Sequence, residues 1–339
     1  MKKRKAASPK NTQALFKFLF VTDPWSTLDH PKDTTLRLAE EAIAQGAEAY
    51  LCDLRTIRWD RDSVMLDARQ FLRIYPGRLE KSFKLSEAVA VAPAEFDSIH
   101  YRTDPPVDLH YLHPLQLLIM GLEGLTGVKG SGVELVNAGP HLCMGNEKLE
   151  ATELGDLMPA TLAASEWEKL QAFGTEESRT VLKPMHQAQS KGIELLDWQT
   201  EAGRNQARKS LQAATDNFER PVILQRYLPG IAQGEQRLWF VDGQLLACVR
   251  KLPMPKDFRV DMDRGSRITP TELTPAERKA AVRISKHLKA KKIRLAAVDL
   301  IDGLITDFNF TSPGLIPQME GVLGQNLARP IIKALMRPI

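Results

Sequence analysis

The stretch RLAAVDLIDGLITDFNFTSPG, residues 294–314, contains two runs of strand-forming residues separated by an Asp-Gly pair that ends at Gly303. An Asp-Gly pair between two such runs is a strong short-range signal for a β-hairpin with a tight turn. Asp307 and Asn309 are two positions apart on the second run and therefore point to the same face. Asp299 lies four residues before Gly303 and Asp307 four after it, which predicts that the two carboxylates are cross-strand neighbours.

The predicted hairpin would present three oxygen donors on a rigid support. Two carboxylates and an amide oxygen suit Mg²⁺, which keeps several waters and often binds nucleotide phosphates at the same time. The alternative is an acidic hairpin whose polar face meets water, because clustered acidic residues are often structural. The spacing alone leaves both interpretations open.

The composition limits the classes of protein that the chain can belong to. Its 339 residues favour two or three domains, and much of the net charge of +4 lies in the first ten residues. A general nucleic-acid surface is therefore not indicated. The three cysteines are far apart, which excludes a disulfide framework and favours a cytoplasmic protein. No apolar run is long enough to span a membrane, and the run after the basic residues predicts a first strand rather than a signal peptide.

The first half of the chain is predicted to be α/β with a mainly parallel sheet. A strand at 16–22, a helix capped by Asp33 or Thr34 and a strand at 47–54 predict a right-handed parallel βαβ unit. The long loop before the helix lies at the sheet edge where such folds bind ligands, and a plain surface loop is the alternative. Additional strands are expected within 55–97, a strand at 98–102, a helix at 109–125, a strand at 134–137 and a boundary at Gly139-Pro140.

The second half is predicted to be α+β, with antiparallel strand pairs covered by helices. Capping-box patterns predict two helix starts, one at Ser165 and Glu168 before a helix ending near Gly174, and one at Thr274. A second Asp-Gly pair predicts a hairpin within 235–249. Further elements are expected at 180–183, 193–198, 200–215 and 222–226, with a loop at 253–267 and a last helix after Gly324.

Three cations stand out among the charged residues. Lys183 ends a short strand before a proline, and Lys148 follows an Asn-Glu pair at a predicted helix start. Each could neutralise phosphate, as lysine does in nucleotide sites, but a single lysine is more often a solvated surface charge. Arg237 alternates with Glu235 on the second hairpin, where a weak cross-strand ion pair is the simplest alternative.

The order of these motifs resembles the bacterial glutathione synthetases, members of the ATP-grasp ligases. Along the chain come Asn-Glu-Lys (146–148), Leu-Lys-Pro (182–184), Gln-Arg-Tyr-Leu-Pro (225–229), Glu-Gln-Arg (235–237), Val-Asp-Leu (298–300) and Asp-Phe-Asn-Phe-Thr-Ser-Pro-Gly (307–314). In the first half, DPWSTLDHPKDTT (23–35) and YRTDPPVD (101–108) resemble the family's first loop and its Asp-Pro-Pro segment. Each motif is short, and it is their shared order and spacing over residues 16–335 that is specific.

The resemblance implies a fold and a division into domains. A disordered basic tail at 1–12 would precede an N-terminal α/β domain with a parallel sheet at 13–140. An α+β ATP-grasp domain at 141–339 would follow and bind ATP between two antiparallel sheets. It would consist of a central lid subdomain at 141–222 and a C-terminal catalytic subdomain at 223–339.

The resemblance also implies a role for each matching residue. Lys148 and Lys183 would hold the ATP phosphates; Gln225, Tyr227 and Leu228 would line the adenine pocket; Glu235 would bind the ribose. Arg237 and Lys183 would act at the γ-phosphate. Asp299, Asp307 and Asn309 would carry magnesium (or manganese) ions. Asp104, Arg259, Arg267, Ser312 and Pro313 would lie beside the acid substrate.

The implied activity is an ADP-forming ligation of a carboxylate to an amine through an acyl phosphate. The substrates would be γ-glutamylcysteine and glycine, or another acid and amine. Both are small molecules, so neither a nucleic acid nor a membrane is an expected partner. Members of the family commonly form homo-oligomers, and the sequence itself indicates no interface.

Two loops depart from the family pattern. The family has a glycine-rich loop after Leu-Lys-Pro, whereas this chain has HQAQSKG at 186–192, where Lys191 or His186 could supply charge in place of backbone amides. The family's glycine-rich lid is replaced by PKDFRVDMDRGSR at 255–267, and its usual glutamate by the shorter Asp307. A second hypothesis is therefore an inactive ATP-grasp domain that binds nucleotide or a protein partner. A third and weaker one is nucleic-acid binding through the basic tail.

Overall fold

The computed structural model describes residues 15–74, 83–126, 132–185, 187, 191–255 and 257–337. Within these residues the chain forms three β-sheets of eight, four and five strands. The predicted tail at 1–12 and His186 lie outside the described residues. None of the helices in the described part of the chain is long and apolar enough to cross a membrane.

The eight-stranded sheet is built by the first part of the chain. Its strands are β1 (Lys17–Thr22), β2 (Glu48–Asp53), β3 (Arg58–Asp60), β4 (Ser63–Ile74), β5 (Phe83–Leu85), β6 (Val89–Val91), β7 (Ser98–Tyr101) and β8 (Glu134–Val136). Neighbouring strands β2, β1, β7 and β8 are parallel, which is the parallel sheet that the sequence predicts. Strands β3 to β6 extend it with antiparallel pairs, so the region 55–97 makes the sheet mixed.

Helices cover both faces of this sheet, and the apolar sequence of β1 explains why. Phe18 and Phe20 pack on one face, towards α1 (Thr34–Ala44), while Leu19 and Val21 pack on the other, towards α2 (Leu109–Thr126). A strand that is apolar at every position is typical of a sheet buried on both faces. Helix α1 begins after Asp33, whose Oδ1 accepts a hydrogen bond from the Leu36 amide at 2.8 Å.

The four-stranded sheet is entirely antiparallel and has its own small core. Its strands, in the order β11-β10-β12-β9, are β9 (Thr161–Ala164), β10 (Arg179–Lys183), β11 (Glu194–Asp197) and β12 (Val222–Arg226). Helices α4 (Trp167–Glu177) and α5 (Glu201–Ala214) supply buried residues such as Leu170 and Leu211 to a core around Trp198. A short helix α3 (Gly139–Met144) stands at the predicted boundary, Gly139-Pro140, ahead of this region.

The predicted start and end of α4 are wrong. The residue before the helix is Glu166, no side chain caps its first turn, and the helix continues through Gly174 to Glu177. Gly174 does not end the helix because its role is close packing: a Cβ at this position would lie 2.1 Å from Cε2 of Trp198. The pattern at Ser165 and Glu168 does not form a capping box in the structure.

The five-stranded sheet follows the order β15-β14-β13-β16-β17. Its strands are β13 (Glu235–Val241), β14 (Gln244–Leu252), β15 (Arg267–Pro270), β16 (Leu295–Ile301) and β17 (Leu304–Asn309), and its helices are α6 (Pro275–Lys291), α7 (Ile316–Leu323) and α8 (Ala328–Leu335). Both Asp-Gly hairpins are confirmed, and so is the capping box formed by Thr274 and Glu277. The sequence did not predict β15 or α7.

The five-stranded and eight-stranded sheets share one hydrophobic core. Phe18 and Phe20 of the first sheet belong to the same cluster as Trp239 and Leu295 of the last. Asn137 adds polar contacts between them, because its amide nitrogen donates to the Leu295 carbonyl at 2.8 Å and its oxygen accepts from the Leu295 amide at 2.9 Å. The four-stranded sheet has a separate core, so the molecule consists of a large packed unit and a smaller one.

Candidate active site

A cavity lies between the four-stranded and five-stranded sheets. It encloses about 980 Å³, counting the open space at its mouth. Of the predicted site residues, those that line it are Lys148, Lys183, Gln225, Tyr227, Leu228, Glu235, Arg237, Arg259, Asp299, Asp307 and Asn309.

The predicted pairing of Asp299 with Asp307 is confirmed. It results from an irregularity in the strand register and not from the equal number of residues on either side of Gly303. Next to the tight turn, Ile301 pairs with Leu304, a register that would place Thr306 opposite Asp299. The register shifts by one residue between Asp299 and Leu300, so Asp307 takes that place instead. A one-residue bulge thus decides which side chain faces the cavity, because a slip of one position turns a side chain to the other face.

The second hairpin has the same irregularity. Its register shifts between Trp239 and Phe240, and this places Lys251 opposite Glu235. The Lys251 ammonium contacts a Glu235 carboxylate oxygen at 2.5 Å and an Asp299 carboxylate oxygen at 3.0 Å. Sequence reasoning missed Lys251, and counting outward from the Asp-Gly turn would have pointed to Arg250 unless the bulge was known.

Asp299 is the centre of a buried ion-pair network. Arg237 binds it with two hydrogen bonds, Nε to Oδ1 at 2.9 Å and Nη2 to Oδ2 at 2.6 Å, and Lys251 adds a third. Burial by itself would raise the pKa of the Asp299 carboxyl, but Arg237 and Lys251 outweigh it and lower that pKa to about 2. The Asp299 carboxylate therefore holds two cations at the cavity wall.

Asp307 and Asn309 are the donors best placed to hold a metal ion. Among the described residues, Asp307 Oδ1 accepts one long hydrogen bond, 3.2 Å, from the adjacent Phe308 amide. The Asn309 amide nitrogen donates to the Ala297 carbonyl at 3.0 Å and to Asp299 Oδ2 at 3.4 Å, which directs its carbonyl oxygen away from the strand. In the described chain no three His, Cys, Asp or Glu side chains converge as a ready metal cage. This donor set fits Mg²⁺ held by one or two side chains and by substrate phosphates.

Lys183 connects the two sheets across the cavity. Its ammonium donates to Gln225 Oε1 at 2.7 Å on one side and to the Thr306 carbonyl at 2.8 Å on the other. Burial lowers the pKa of Lys183, and the nearby Asp307 carboxylate opposes that effect. Lys148 lies beside it, with its ammonium on the Gln187 carbonyl, and Lys191 also lines the cavity.

The other end of the cavity is apolar. Tyr227 and Leu228 follow β12 there. The other apolar side chains that line the cavity are Val181, Ile193, Ile231, Phe258, Val260 and Ile301. A flat hydrophobic ligand group would fit this end, while charged groups of a ligand would meet the lysines and Arg237 at the other.

Four predicted substrate residues do not line the cavity. Arg267 begins the edge strand β15 and is exposed. The other three lie together where the end of β7 meets the segment after β17. There Arg102 donates to the Pro313 carbonyl at 2.9 Å, and the Ser312 hydroxyl donates to the Arg102 carbonyl at 3.3 Å. The Asp104 carboxyl interacts with the Ser312 side chain.

Asp104 is a carboxyl in an acidic environment. Its backbone amide donates to Asp23 Oδ2 at 2.9 Å, and Asp33 is also near. Although part of the residue faces solvent, desolvation of the carboxyl group and then the charges of Asp23 and Asp33 raise the pKa of Asp104 to about 6. Asp104 can therefore change its charge near neutral pH.

Glu147 is a second functional candidate that sequence reasoning missed. Its buried Oε1 accepts hydrogen bonds from the Phe310 and Thr311 amides, both at 2.7 Å, and from the Thr311 hydroxyl at 2.8 Å. Burial, followed by the charge of Asp307, raises the pKa of Glu147. The residue fixes the chain directly after the Asp307 strand, and its place in the Asn-Glu-Lys motif was the available signal.

Comparison with known proteins agrees with this arrangement. Residues 147–324 match the family described as prokaryotic glutathione synthetase, ATP-grasp domain, and residues 16–135 match its N-terminal domain. The chain is 31% identical over 319 residues to a glutathione synthetase of Prochlorococcus marinus (strain MIT 9313), covering 94% of this chain and 98% of that protein. It is 30% identical over 317 residues to that of Parasynechococcus marenigrum (strain WH8102), covering 94% and 98%.

The solved structures show the same fold in more distant proteins. The crystal structure of D-cycloserine synthetase DcsG has a TM-score of 0.60 to this chain at 16% identity, covering 94% of this chain and 99% of that one. The predicted ATP-grasp fold is thereby confirmed, with a mixed rather than purely parallel N-terminal sheet. The protein is an enzyme of the carbon–nitrogen ligase type, in a family that uses ATP. The chain belongs to the prokaryotic glutathione synthetase family of ATP-grasp ligases.

Proposed function

We propose that this protein is an ATP-dependent, ADP-forming carboxylate–amine ligase that works through an acyl phosphate. Its substrates would be γ-glutamylcysteine and glycine, or a related acid and amine. The observation that carries the proposal is the charge arrangement of the cavity. Lys183, Arg237 and Lys251 gather at one end, beside the Asp307 and Asn309 oxygens. That end suits a metal-bound triphosphate, and the apolar end suits a nucleotide base.

The first chemical step joins the acid to phosphate. A substrate carboxylate oxygen attacks the γ-phosphorus of ATP, the bond from that phosphorus to the β–γ bridging oxygen breaks, and ADP leaves. Repulsion between the two anions opposes this step, and Lys183 and Arg237 offset it by stabilising the transferring group. A magnesium ion held by Asp307 and Asn309, with Asp299 behind them, would supply further charge neutralisation on the phosphates.

The second step forms the amide. The amine attacks the carbonyl carbon of the acyl phosphate, the carbon–oxygen bond to phosphate breaks, and the amine releases a proton. Water must be kept out, because it would hydrolyse the acyl phosphate. The loop from 253 to 266 places Phe258, Arg259 and Val260 over the cavity, and we assign it the closing role.

The remaining predicted residues receive roles from their positions. Gln225, Tyr227 and Leu228 would hold the base, and Lys148 a phosphate. Glu235 would bind the ribose, although it must share its carboxylate with Lys251. Arg259 at the cavity, and Asp104, Ser312 and Pro313 close to Arg102, would contact the acid or the amine. The structure gives no argument for Arg267.

The proposal extends to organisation and setting. We assign residues 13–140 to an N-terminal domain and 141–339 to the ATP-grasp domain, with 141–222 as its lid. The protein is proposed to act in the cytoplasm on small molecules, as a homo-oligomer.

One observation favours the second hypothesis, a domain that binds nucleotide without turning it over. The Lys148 ammonium is engaged by the Gln187 carbonyl, in the loop that replaces the family's glycine-rich segment. If that contact persists when ATP is bound, Lys148 does not neutralise a phosphate. The site would then bind ATP without transferring its γ-phosphate.

The deciding experiment measures ADP release with γ-glutamylcysteine, glycine, ATP and Mg²⁺, followed by a panel of other acids and amines. Release that requires both an acid and an amine supports the ligase. ATP binding without ADP release across the panel favours the second hypothesis. No ATP binding at all would reject both proposals.

A further inference from the structure

Phe258 is an aromatic residue that the hydrophobic cores do not use. It lies in the loop between β14 and β15, is half-buried and belongs to none of the core clusters found among the described residues. Its ring instead lines the apolar end of the cavity, close to Tyr227 and Leu228. A half-buried aromatic side chain that faces a cavity rather than a core is available for a ligand.

The ring is held in place by specific contacts. Its centroid lies 6.4 Å from that of Tyr227, and the two ring planes are at 78°, an edge-to-face geometry that aromatic pairs favour. Tyr227 is itself fixed by Arg179, whose Cζ lies 4.4 Å from the ring centroid. The aromatic pair therefore connects the loop to the residues that follow strand β12.

The charged neighbours of Phe258 neutralise each other. The Arg259 backbone amide donates to Asp257 Oδ1 at 2.9 Å, and its guanidinium binds the same carboxylate at 3.0 Å. The Arg259 guanidinium also lies near the Phe258 ring, with its Cζ 5.9 Å from the ring centroid, and Phe258 is the aromatic side chain that this loop places on the cavity, next to Val260. A ligand group that meets it should be flat and uncharged.

We propose that Phe258 contacts the base of the bound nucleotide and closes the base pocket from the loop side. The inference rests on the proposed binding of ATP and adds a residue from this chain's own loop, where the family resemblance predicts a glycine-rich lid. Tyr227 and Leu228 hold the base from the strand, and Phe258 packs on it when the loop covers the cavity. A ring placed in this way contributes to ATP affinity and leaves affinity for the phosphates alone unchanged.

The test compares a ligand with a base and one without. Dissociation constants of Mg²⁺–ATP and of Mg²⁺–tripolyphosphate are measured by calorimetry for the wild type and for Phe258→Ala, Phe258→Tyr and Met254→Ala. Stacking of a base on an aromatic side chain corresponds to about a ten- to hundredfold effect on affinity. We expect Phe258→Ala to weaken ATP by that factor and to leave tripolyphosphate unchanged, and Phe258→Tyr to bind both like the wild type.

The control and the contrary outcomes separate this inference from the proposed function. Met254 lies in the same loop, is 42% exposed and does not line the cavity, so its removal should change neither constant. Equal weakening of both ligands by Phe258→Ala, or no weakening of either, would overturn the assignment of Phe258 while leaving ATP binding intact. A wild type that binds neither ligand would instead overturn the proposed function and this inference with it.

Discussion

The two sheets that enclose the cavity hold their functional groups in different ways. On the five-stranded sheet, Arg237 and Lys251 are fixed to Asp299 by a buried ion network, and the sheet shares its core with the N-terminal part of the chain. On the four-stranded sheet, Lys183 has no carboxylate hydrogen-bond partner among the described residues; it donates to the Gln225 amide oxygen on its own sheet and to the Thr306 carbonyl across the cavity. The buried apolar side chains of that sheet belong to a separate small core in the part of the chain that the structure describes.

This difference assigns separate tasks to the two sheets. A charge fixed by ion pairs in a large core keeps its position before any ligand arrives, which is what electrostatic catalysis requires. A lysine held by neutral acceptors on a smaller unit can exchange those acceptors for phosphate oxygens. We therefore propose that the five-stranded sheet is the preorganised wall and that the four-stranded sheet is the wall that closes on the ligand.

The largest effect is expected when the network of the preorganised wall is broken. Asp299→Ala leaves Arg237 and Lys251 buried without their shared anion, which should lower the free energy of unfolding by about 3–5 kcal/mol. Turnover should be lost as well, because both cations lose their fixed positions. Urea unfolding and ADP release measure the two effects. Unchanged stability of Asp299→Ala would contradict the ion-pair network. Asp299→Asn keeps the shape of the side chain without its charge and tests whether shape alone holds Arg237 and Lys251 in place.

A neighbouring carboxylate on the same wall should separate turnover from stability. Asp307 has no ion pair among the described residues, so Asp307→Ala should change the unfolding free energy by no more than about 0.5 kcal/mol. Its Mg²⁺-dependent ADP release should nevertheless fall by about a hundred- to a thousandfold, as expected when a charge-stabilising group is removed. Asp307→Glu, which restores the residue usual in the family, should keep activity. Unchanged turnover of the alanine variant would exclude Asp307 as a metal ligand.

The features that the sequence could predict have local causes, and those that it could not predict depend on packing between distant residues. The tight turns, the strand order of the βαβ unit and the carboxylates of the 294–314 hairpin were predictable, because turn chemistry and alternation are local properties. The bulges were not, because they depend on how each strand packs against its sheet, and with them Lys251 was missed. The predicted end of α4 was wrong because Gly174 is needed for close packing against Trp198, a residue distant in sequence.

Gly174 also provides a test of the smaller core. Gly174→Ala forces a methyl group into Trp198, and overpacking of this kind should destabilise the four-stranded unit by about 1–3 kcal/mol. Gly321→Ala is the matched control: Gly321 is likewise within a helix, but nothing lies within 4 Å of an added Cβ. That variant should be stabilised by up to about 1 kcal/mol, since alanine favours helix.

The measurement for this pair is proteolysis under native conditions together with thermal unfolding. Cleavage of Gly174→Ala should concentrate between residues 161 and 226, where the four-stranded unit lies, while the rest of the chain stays protected. Cleavage spread evenly along the chain would show that the two units unfold together and that the division drawn from their cores is wrong.

The smallest effect concerns the protonation of Lys183 on the closing wall. Burial lowers the pKa of this lysine below its usual 10.5, so part of it loses its charge at pH values where an exposed lysine keeps it. Phosphate bound beside it favours the charged form and raises that pKa again. ATP binding must then take up a proton, and the affinity for ATP should fall several-fold as the pH rises towards the alkaline range, where the phosphates themselves no longer titrate. The arginine of Lys183→Arg keeps its charge over this pH range, so the ATP affinity of this variant should not change with pH. If ATP affinity has the same pH dependence in the wild type and the variant, Lys183 is already fully charged or does not contact phosphate.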